Sequence, residues 1–419
     1  MVDPARLELT AHRVPWDLPR KTLIREESMA GALWRLFAAI VALAIIAVSP
    51  ASAQETIRIG IVGPFTGPFA TTGDGFKQGL ESYLAIHGNT VGGRKVEVIY
   101  RDSIGNPATA KQLAEELIVK SRVSILGGFM LTPEAAAAAP IVNEAKVPLL
   151  LFNAATPALL PMSRYFVRMG QNIAQPAELG AIWGREIGKS RGYTAVADYA
   201  PGHAVEEAFV AKFPALGGTL VGKDRIPLNT VDFSPFAERV ANADPDLLEI
   251  FIPPGAPAVG YIKALAARGL TKKVTIIGQG EAEDNDLHLF DDSVIGFHSI
   301  IYISSTLDNL ENVRLRKTLH EKFGPKTEPS AFTVGAYDGL TVAYKMIDSM
   351  GGKPFDGDAA VKAIQGFSYQ SPRGPVTIDP ATRENIQNFY VRRVELKDGR
   401  MQNVIIKTFE QVKPPGPKT

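Results

Sequence analysis

The sequence predicts an α/β protein with two lobes, each built around a buried parallel sheet. From Gln54 onward, short apolar runs alternate with longer amphipathic stretches, which is typical of repeated β-α units. This pattern occurs twice, and the second set begins near Gln171. The segments that follow can complete both sets. We therefore expect the chain to pass between the lobes several times, forming a hinge and a cleft where ligands commonly bind.

The elements of the first set follow directly from the apolar runs. Its strands are predicted at residues 57–62, 95–100, 123–126 and 147–152. Its helices are predicted at residues 74–87 and 108–120, with a third from Pro133.

The second set has the same alternation. Its strands are predicted at residues 194–198, 247–252 and 273–278, and its helices at residues 177–187, 204–216 and 258–268. After a strand at 300–304, a helix at 334–350 is predicted to complete the first set. Strands at 376–378 and 388–395 would complete the second.

Residues 1–53 are predicted to lie outside the fold. The apolar run at 36–48 has 13 residues, whereas a bilayer span needs about 20, so it fits the apolar region of a signal peptide. Ala51-Ser52-Ala53 has the pattern of a cleavage site, which predicts export to the periplasm. The 28 residues before Met29 are interpreted as a mis-called extension. The alternative is a signal anchor with a cytoplasmic tail.

Composition excludes several classes of protein. With 45 Lys+Arg against 44 Asp+Glu, the chain lacks the charge expected for binding nucleic acid or an anionic membrane. It has no Cys, which excludes disulfides, Cys-ligated metals, a thiol nucleophile and a lipid anchor at the cleavage site, so a soluble mature protein is expected. The common hydrolase, phosphate-loop, dinucleotide and calcium motifs are absent, and the six His residues lack metal-ligand spacing. We therefore expect a binding protein without a cofactor or metal. Residues 413–419 are predicted to be disordered.

Two Thr-Pro pairs follow neighbouring strands of the first set. Ligands of open α/β sheets bind at the carboxyl ends of strands, where helices begin. Thr132-Pro133 and Thr156-Pro157 each predict a Thr N-cap with Pro in the first helical position. Two such helix starts with a small-residue loop could hold an anion such as a carboxylate without a fixed cation. The alternative, that each pair is only a good helix start, remains open.

The other strand-end loops offer fewer candidates. Phe65 and Phe69 lie on the first loop, and only one of them is expected to contact a ligand. His203 opens a helix in the second set, where the helix dipole favours a neutral, hydrogen-bonding imidazole. Glu281 could pair with an ammonium group, or could belong to a solvated acidic loop, since three acids lie within four residues.

Four segments carry a resemblance to a known family, namely residues 57–81, 95–118, 153–159 and 261–270. They resemble the periplasmic solute-binding proteins of ABC importers, of the leucine/isoleucine/valine-binding type, and the resemblance extends from residue 57 to about 395. It implies two Rossmann-like lobes with parallel-type sheets joined by three crossover strands, the type I periplasmic binding fold. The expected lobes are 54–172 with 300–370, and 173–299 with 371–412.

The resemblance also implies a division of the site. In the family, segments matching Leu131-Thr132 and Ala154-Ala155-Thr156 hold the solute's carboxylate. The second lobe normally supplies an aromatic residue and a Glu that holds an α-ammonium. This sequence departs from that pattern at 201–203, 252–255 and 278–281, where Glu281 comes one position late. The carboxylate half is therefore expected to be intact, and the ammonium half remains open.

We expect a monomeric protein that captures a small apolar or aromatic carboxylate and delivers it to a membrane ABC permease. The ligand would be a branched-chain or aromatic amino acid, or its keto or aromatic acid analogue. One alternative is a sensor that passes ligand occupancy to a membrane receptor or regulator. Another is an exported hydrolase using Thr132 or Thr156 with His203. The predicted ligand-binding residues are Phe65, Leu131, Thr132, Ala154, Ala155, Thr156, Tyr199, His203, Pro254, Gly255 and Glu281.

Overall fold

The structure is a computed structural model that describes Trp34 and residues 56–397 and 399–414. Apart from Trp34, the predicted signal peptide, its cleavage site, the extension at 1–28 and the end of the tail at 415–419 lie outside the described residues. Among the residues that are described, no helix combines the length and apolar character needed to cross a membrane.

The secondary structure alternates between strands and helices over most of the described chain. The strands are β1 Ile57–Gly63, β2 Thr90–Val91, β3 Arg94–Asp102, β4 Ile125–Gly128, β5 Leu149–Leu151, β6 Phe166–Arg168, β7 Arg191–Ala197, β8 Thr219–Ile226, β9 Leu247–Phe251, β10 Thr275–Gly278, β11 His298–Ile301, β12 Ser368–Ser371, β13 Gly374–Ile378, β14 Asn385–Lys397 and β15 Arg400–Val412. The α-helices are α1 Ala70–His87, α2 Pro107–Val119, α3 Thr132–Ala145, α4 Ala174–Glu186, α5 Ala200–Ala215, α6 Ser234–Ala243, α7 Ala256–Ala267, α8 Leu270–Lys273, α9 Leu310–Phe323, α10 Ala331–Ser349 and α11 Gly357–Ala363. The 3₁₀ helices are Pro157–Met162, Leu287–Leu289 and Asp292–Val294.

The first lobe is a six-stranded sheet in the order β2-β3-β1-β4-β5-β6, parallel except for β2. Helices cover its central strands, so β1, β4 and β5 are continuous apolar runs that are almost entirely buried. The helix predicted at 334–350 is α10, which packs against α1. The two helices lie so close that a side chain at Gly79 would meet the Thr333 carbonyl oxygen at 2.1 Å.

The second lobe is a nine-stranded sheet in which β7 to β11 are parallel and β12 to β15 are antiparallel additions. In this sheet the sequence pattern missed β8, β12 and β15. β8 and β15 carry charged residues and all three strands are partly exposed, so none shows the uninterrupted apolar run of a central strand.

The chain passes between the lobes three times, after β6, after β11 and after α11. The three crossovers implied by the family resemblance are therefore confirmed. The exact lobe limits stay a prediction. The loops that follow β4, β5, β9 and β10 all contribute residues to one cavity between the two sheets.

Candidate ligand-binding site

A cavity of about 300 Å³ lies between the lobes, which is the lower end of the range for small-molecule sites. Strand-end loops and crossover segments of both lobes form its wall. The lining residues are Phe69, Met130, Leu131, Thr132, Pro133, Asn153, Ala155, Gly170, Gln171, Ile173, Tyr199, Pro201, Leu228, Phe251, Ile252, Pro253, Pro254, Gln279, Gly280, Glu281, Glu283, Ile301, Tyr302, Ala331 and Phe332.

The wall is mostly apolar, and the described residues that line it include no cation. Five aromatic rings lie on it, two from the second lobe at Tyr199 and Phe251 and three from elsewhere. Its only ionisable carboxyl groups are Glu281 and Glu283, and no Lys, Arg or His is among the described lining residues. No cluster of three His, Asp or Glu side chains in the described ranges could hold a metal ion. The donors that this wall offers to an anion are therefore uncharged: hydroxyl groups, backbone N–H groups and the side-chain amides of Asn153, Gln171 and Gln279.

Two hydroxyl groups meet at the first-lobe end of the cavity. The Thr132 and Thr156 Oγ1 atoms lie 2.6 Å apart and share a hydrogen bond. That bond uses one hydroxyl proton, so the other can be donated to a ligand oxygen.

The predicted N-cap position is wrong for Thr132 and correct for Thr156. Leu131 is the residue before α3, and its N–H donates to Glu134 Oε2 at 2.9 Å. Thr132 is instead the first helical residue. Thr156 does precede a helix, but this is the short 3₁₀ helix Pro157–Met162, and its side chain forms no capping hydrogen bond. Each hydroxyl bonds to the other instead of to a helix end.

The loop after β5 holds its carbonyl groups against buried donors. Arg168 donates to the carbonyl oxygens of Ala154 and Thr156, and Ile173 N–H donates to the Ala155 carbonyl oxygen at 3.0 Å. Among the described residues, no hydrogen bond is donated by the N–H of Ala155 or Thr156. These two N–H groups and the hydroxyls of Thr132 and Thr156 are here called the donor cluster. It is a set of uncharged donors suited to a carboxylate.

Glu281 lies at the second-lobe end and is only 1% exposed. Its carboxylate accepts hydrogen bonds from the N–H groups of Ile252 at 3.0 Å, Gln279 at 2.6 Å and Gly280 at 3.0 Å. Burial raises the pKa of Glu281 to about 7, although the backbone N–H bonds oppose the shift. The alternative of a solvated acidic loop is wrong, since Glu283 is buried as well.

Glu283 differs from Glu281 in having a buried cation. Arg392 Nη2 lies 2.8 Å from Glu283 Oε1, and both side chains are buried. Burial raises the pKa of Glu283, while Arg392 acts in the opposite direction. No ion pair to Glu281 is formed by any Lys, Arg or His that the structure describes. The second-lobe end therefore carries one compensated and one uncompensated acid.

Tyr199 supplies an aromatic face to the second-lobe wall. It is the residue before α5, its backbone is extended, and it lines the cavity beyond the end of β7. Its ring stacks against Phe251 with centroids 6.1 Å apart. Burial raises the pKa of the Tyr199 hydroxyl, so this group is a neutral donor and acceptor.

The cavity includes some of the residues expected from sequence and leaves out others. The predicted residues on its wall are Leu131, Thr132, Ala155, Tyr199, Pro254 and Glu281. The predicted residues that are not on the wall are Phe65, Ala154, Thr156, His203 and Gly255. Whether the residues on the wall contact a ligand stays a prediction.

Local contacts explain these displacements. Phe65 packs edge-on against Tyr100, with centroids 5.6 Å apart, and Phe69 takes the wall position instead. Thr156 is joined to the wall only through Thr132, and His203 Nε2 is 2.7 Å from Asp198 Oδ1. His203 therefore faces Asp198, which leaves the hydrolase alternative without a base near the threonines.

Sequence reasoning missed the wall residues that the crossovers contribute. Gln171 follows β6, Tyr302 follows β11, and Phe332 begins α10. None of them carries a local motif. Only the path of the chain between the lobes places them in the cavity.

The periplasmic binding protein family matches residues 56–400 of the chain. The chain is 38% identical over 385 residues to the Leu/Ile/Val-binding protein homolog 6 of Brucella melitensis, which is 91% of this chain and 98% of that protein.

Two solved structures are similar in fold and sequence. One is a solute binding protein of an ABC transporter from Rhodopseudomonas palustris HaA2 in complex with p-hydroxybenzoic acid, with a TM-score of 0.82, 38% identity, and coverage of 85% of this chain and 98% of that one. The other is a solute binding protein of an ABC transporter from Rhodopseudomonas palustris BisB5 in complex with 3,4-dihydroxy benzoic acid, with a TM-score of 0.81, 36% identity, and coverage of 86% and 99%. This chain belongs to the periplasmic binding protein family, whose members bind solutes and are not enzymes.

Proposed function

We propose that this protein is the periplasmic substrate-binding component of an ABC uptake transporter and captures a small aromatic carboxylate. One observation carries the proposal: an aromatic cavity has uncharged hydrogen-bond donors at one end and no cation on its described wall. Such a site suits a ligand with one negative charge and a flat apolar body. The two similar Rhodopseudomonas proteins with bound hydroxybenzoic acids support this choice of ligand class.

The ligand's carboxylate is placed at the donor cluster in this proposal. Of this cluster, Ala155 and Thr132 line the cavity, so the Ala155 N–H and the Thr132 hydroxyl supply up to two hydrogen bonds to it, while Thr156 accepts or donates behind Thr132. Charge-assisted bonds of this kind are stronger than neutral ones. The buried acids at the opposite end repel a carboxylate, which favours the same orientation.

The body of the ligand lies among the aromatic side chains. Tyr199 and Phe251 offer a stacked pair on one side, and Phe332 lies on the wall at the start of α10. A polar substituent opposite the carboxylate would then reach the end that contains Glu281. Glu281 accepts backbone hydrogen bonds on both oxygens, so it is already positioned without a ligand.

A branched-chain amino acid is the second candidate. The uncompensated carboxyl group of Glu281 favours it, because an ammonium would provide the missing cation. The Brucella relative named as a Leu/Ile/Val-binding protein homolog also supports it. In that case Glu281 must be charged when the ligand binds.

Hinge closure would connect binding to transport. A ligand in this cavity contacts both lobes and therefore shifts the population towards the closed form, which the permease would recognise. We further propose that the protein acts as a monomer after signal-peptide cleavage near Ala53. A sensor that signals occupancy to a membrane receptor would share this site. Permease and ATPase genes beside this gene favour transport, and a kinase gene favours sensing.

Thermal melting of the purified protein with paired ligands tests the proposal. The panel contains 4-hydroxybenzoate, benzoate, phenylalanine with phenylpyruvate, and leucine with ketoleucine. A ligand at 100 times its Kd stabilises by about 2.7 kcal/mol, which raises the melting temperature measurably. We expect the amine-free aromatic acids to give the largest increases. Stabilisation by amino acids alone supports the second candidate, and no stabilisation by any carboxylate contradicts both.

A further inference from the structure

We propose that Arg168 and Glu384 are a positioning pair that orients the donor cluster and gives it positive character without touching the ligand. This inference rests on the proposed function, because it requires a ligand with a carboxylate. Its basis is a buried guanidinium directly behind the loop that follows β5.

Arg168 is 0% exposed and uses its donors in two directions. Towards the loop, Nη1 donates to the Ala154 carbonyl oxygen and Nη2 donates to the Thr156 carbonyl oxygen at 2.9 Å. Away from the loop, Nε donates to Glu384 Oε2 at 2.6 Å and Nη2 to Oε1 at 3.3 Å. The guanidinium therefore connects the donor cluster to a buried carboxylate.

One peptide bond connects Arg168 to the cavity. The Ala154 carbonyl and the Ala155 N–H belong to the same planar trans peptide group, so they point in opposite directions. With the carbonyl held by Arg168, the N–H is directed to the opposite side, where Ala155 lines the cavity. A charge-assisted bond to the carbonyl also polarises the peptide and makes its N–H a stronger donor.

This arrangement explains how a cavity without a cation on its described wall could prefer an anion. The positive charge lies one peptide group behind the wall, where it cannot form a direct ion pair with the ligand. Binding is then selective for a carboxylate, while release does not require breaking a buried ion pair. A carrier that must pass on its ligand benefits from both properties.

Glu384 makes the buried charge tolerable and links it to a crossover. An unpaired buried guanidinium would be strongly destabilising, and Glu384 is 4% exposed beside it. Asn172 Nδ2, in the crossover after β6, donates to Glu384 Oε1 at 3.3 Å. Glu384 itself lies directly before β14 of the second sheet. The pair thus fixes the donor cluster against the segments that join the lobes.

The test compares a carboxylate with its neutral amide. Isothermal titration of 4-hydroxybenzoate and displacement titration of 4-hydroxybenzamide give an affinity ratio for each protein. The double variant Arg168→Gln/Glu384→Gln removes both charges, so it leaves no unpaired buried ion. We expect the acid-to-amide ratio to fall by about tenfold, because Arg168 lies nearer to the donor cluster than Glu384 does, so the attraction lost exceeds the repulsion lost.

A control removes an ion pair that lies away from the cavity. Arg239 Nε is 2.7 Å from Asp224 Oδ1, Asp224 is buried, and neither residue is on the cavity wall or contacts the donor cluster. Arg239→Gln/Asp224→Asn should lower the melting temperature and leave the acid-to-amide ratio within about twofold. The single variant Glu384→Gln leaves the guanidinium uncompensated and should raise the ratio.

The outcomes separate the two proposals. A wild type that binds none of the carboxylates overturns the proposed function and this inference with it. A wild type that binds 4-hydroxybenzoate, with an unchanged ratio in the double variant, overturns only the positioning role. Equal losses for acid and amide would show that the pair is merely structural.

Discussion

The two ends of the cavity are both buried, yet they carry opposite kinds of polar group. The first-lobe end presents N–H and hydroxyl groups without net charge on the wall. The second-lobe end contains two carboxyl groups, of which only Glu283 has a buried cation beside it. An unpaired N–H or hydroxyl group costs less to bury than a lone carboxylate, whose burial raises its pKa. The first end is thus ready for an anion, and the second carries an electrostatic cost.

The difference implies one orientation for a ligand. A carboxylate at the second end would meet Glu281 and Glu283, while at the first end it meets only donors. The features of the two ends should therefore respond differently to substitution and to pH.

Replacing Glu281 tests the cost at the second end and should give the largest effect. The folded-state pKa of Glu281 is raised to about 7, above an ordinary value of 4.5. The unfolded chain therefore loses this proton first as the pH rises, and stability falls between those two values. Relative to the wild type, Glu281→Gln should gain up to about 3 kcal/mol of unfolding free energy between pH 4.5 and pH 8.

Urea unfolding of the ligand-free protein across that pH range measures this change. Only the slope of the difference with pH is informative, because Gln cannot accept all the backbone N–H bonds that Glu281 accepts. Glu115→Gln, an exposed substitution of the same kind on α2, is the matched control. A flat difference for Glu281→Gln would mean that this end carries no electrostatic cost.

Removing one hydroxyl tests the first end. Thr132→Val keeps the shape of the side chain and deletes the proton that the donor cluster offers to a carboxylate. A hydrogen bond to a charged group contributes about 1.5–3 kcal/mol, so 4-hydroxybenzoate should bind roughly ten- to hundredfold more weakly. Isothermal titration measures the loss, with Thr318→Val on the exposed face of α9 as control. Equal affinity in both variants would place the carboxylate elsewhere.

The contrast between the two ends also shows what sequence could and could not predict. The residues of the first end could be predicted because Thr132 and Ala155 follow adjacent strands of a regular parallel sheet. In such a sheet, the residues just after neighbouring strands lie close together in space. The hydrogen bonds of these side chains could not be predicted, because the Thr132 and Thr156 hydroxyls bond to each other and not to a helix end.

The second end was harder to predict for a physical reason. Its wall depends on side-chain direction within irregular loops, which has no period in the sequence. Three neighbouring acids suggested a solvated loop, but two of them are buried. Backbone N–H groups bond to Glu281, and Arg392 pairs with Glu283. Tyr302 enters through the crossover after β11 and Phe332 through the first turn of α10, and no local sequence pattern places either residue in the cavity.

Replacing Tyr199 tests whether its ring recognises an aromatic ligand or only supplies apolar surface. Tyr199→Leu keeps an apolar side chain and removes the ring that stacks on Phe251. Aromatic pairs contribute about 0.5–1.5 kcal/mol beyond their area, so 4-hydroxybenzoate should lose roughly three- to tenfold in affinity. An aliphatic acid such as ketoleucine, titrated in parallel, should change less. Equal losses for both acids would show that the ring acts only through its apolar surface.

The smallest expected effect concerns the residue four positions after Tyr199. His203 Nε2 bonds to Asp198 and the side chain is not on the cavity wall, although its place at the start of α5 made it a candidate. His203→Gln keeps a polar side chain there, and substitutions away from a site usually change free energies by about 0.5 kcal/mol or less. We therefore expect the Kd for 4-hydroxybenzoate to change less than about twofold, measured beside Tyr199→Leu. A loss as large as that of Tyr199→Leu would mean that the whole first turn of α5 faces the ligand, and that the second-lobe wall rearranges when the lobes close.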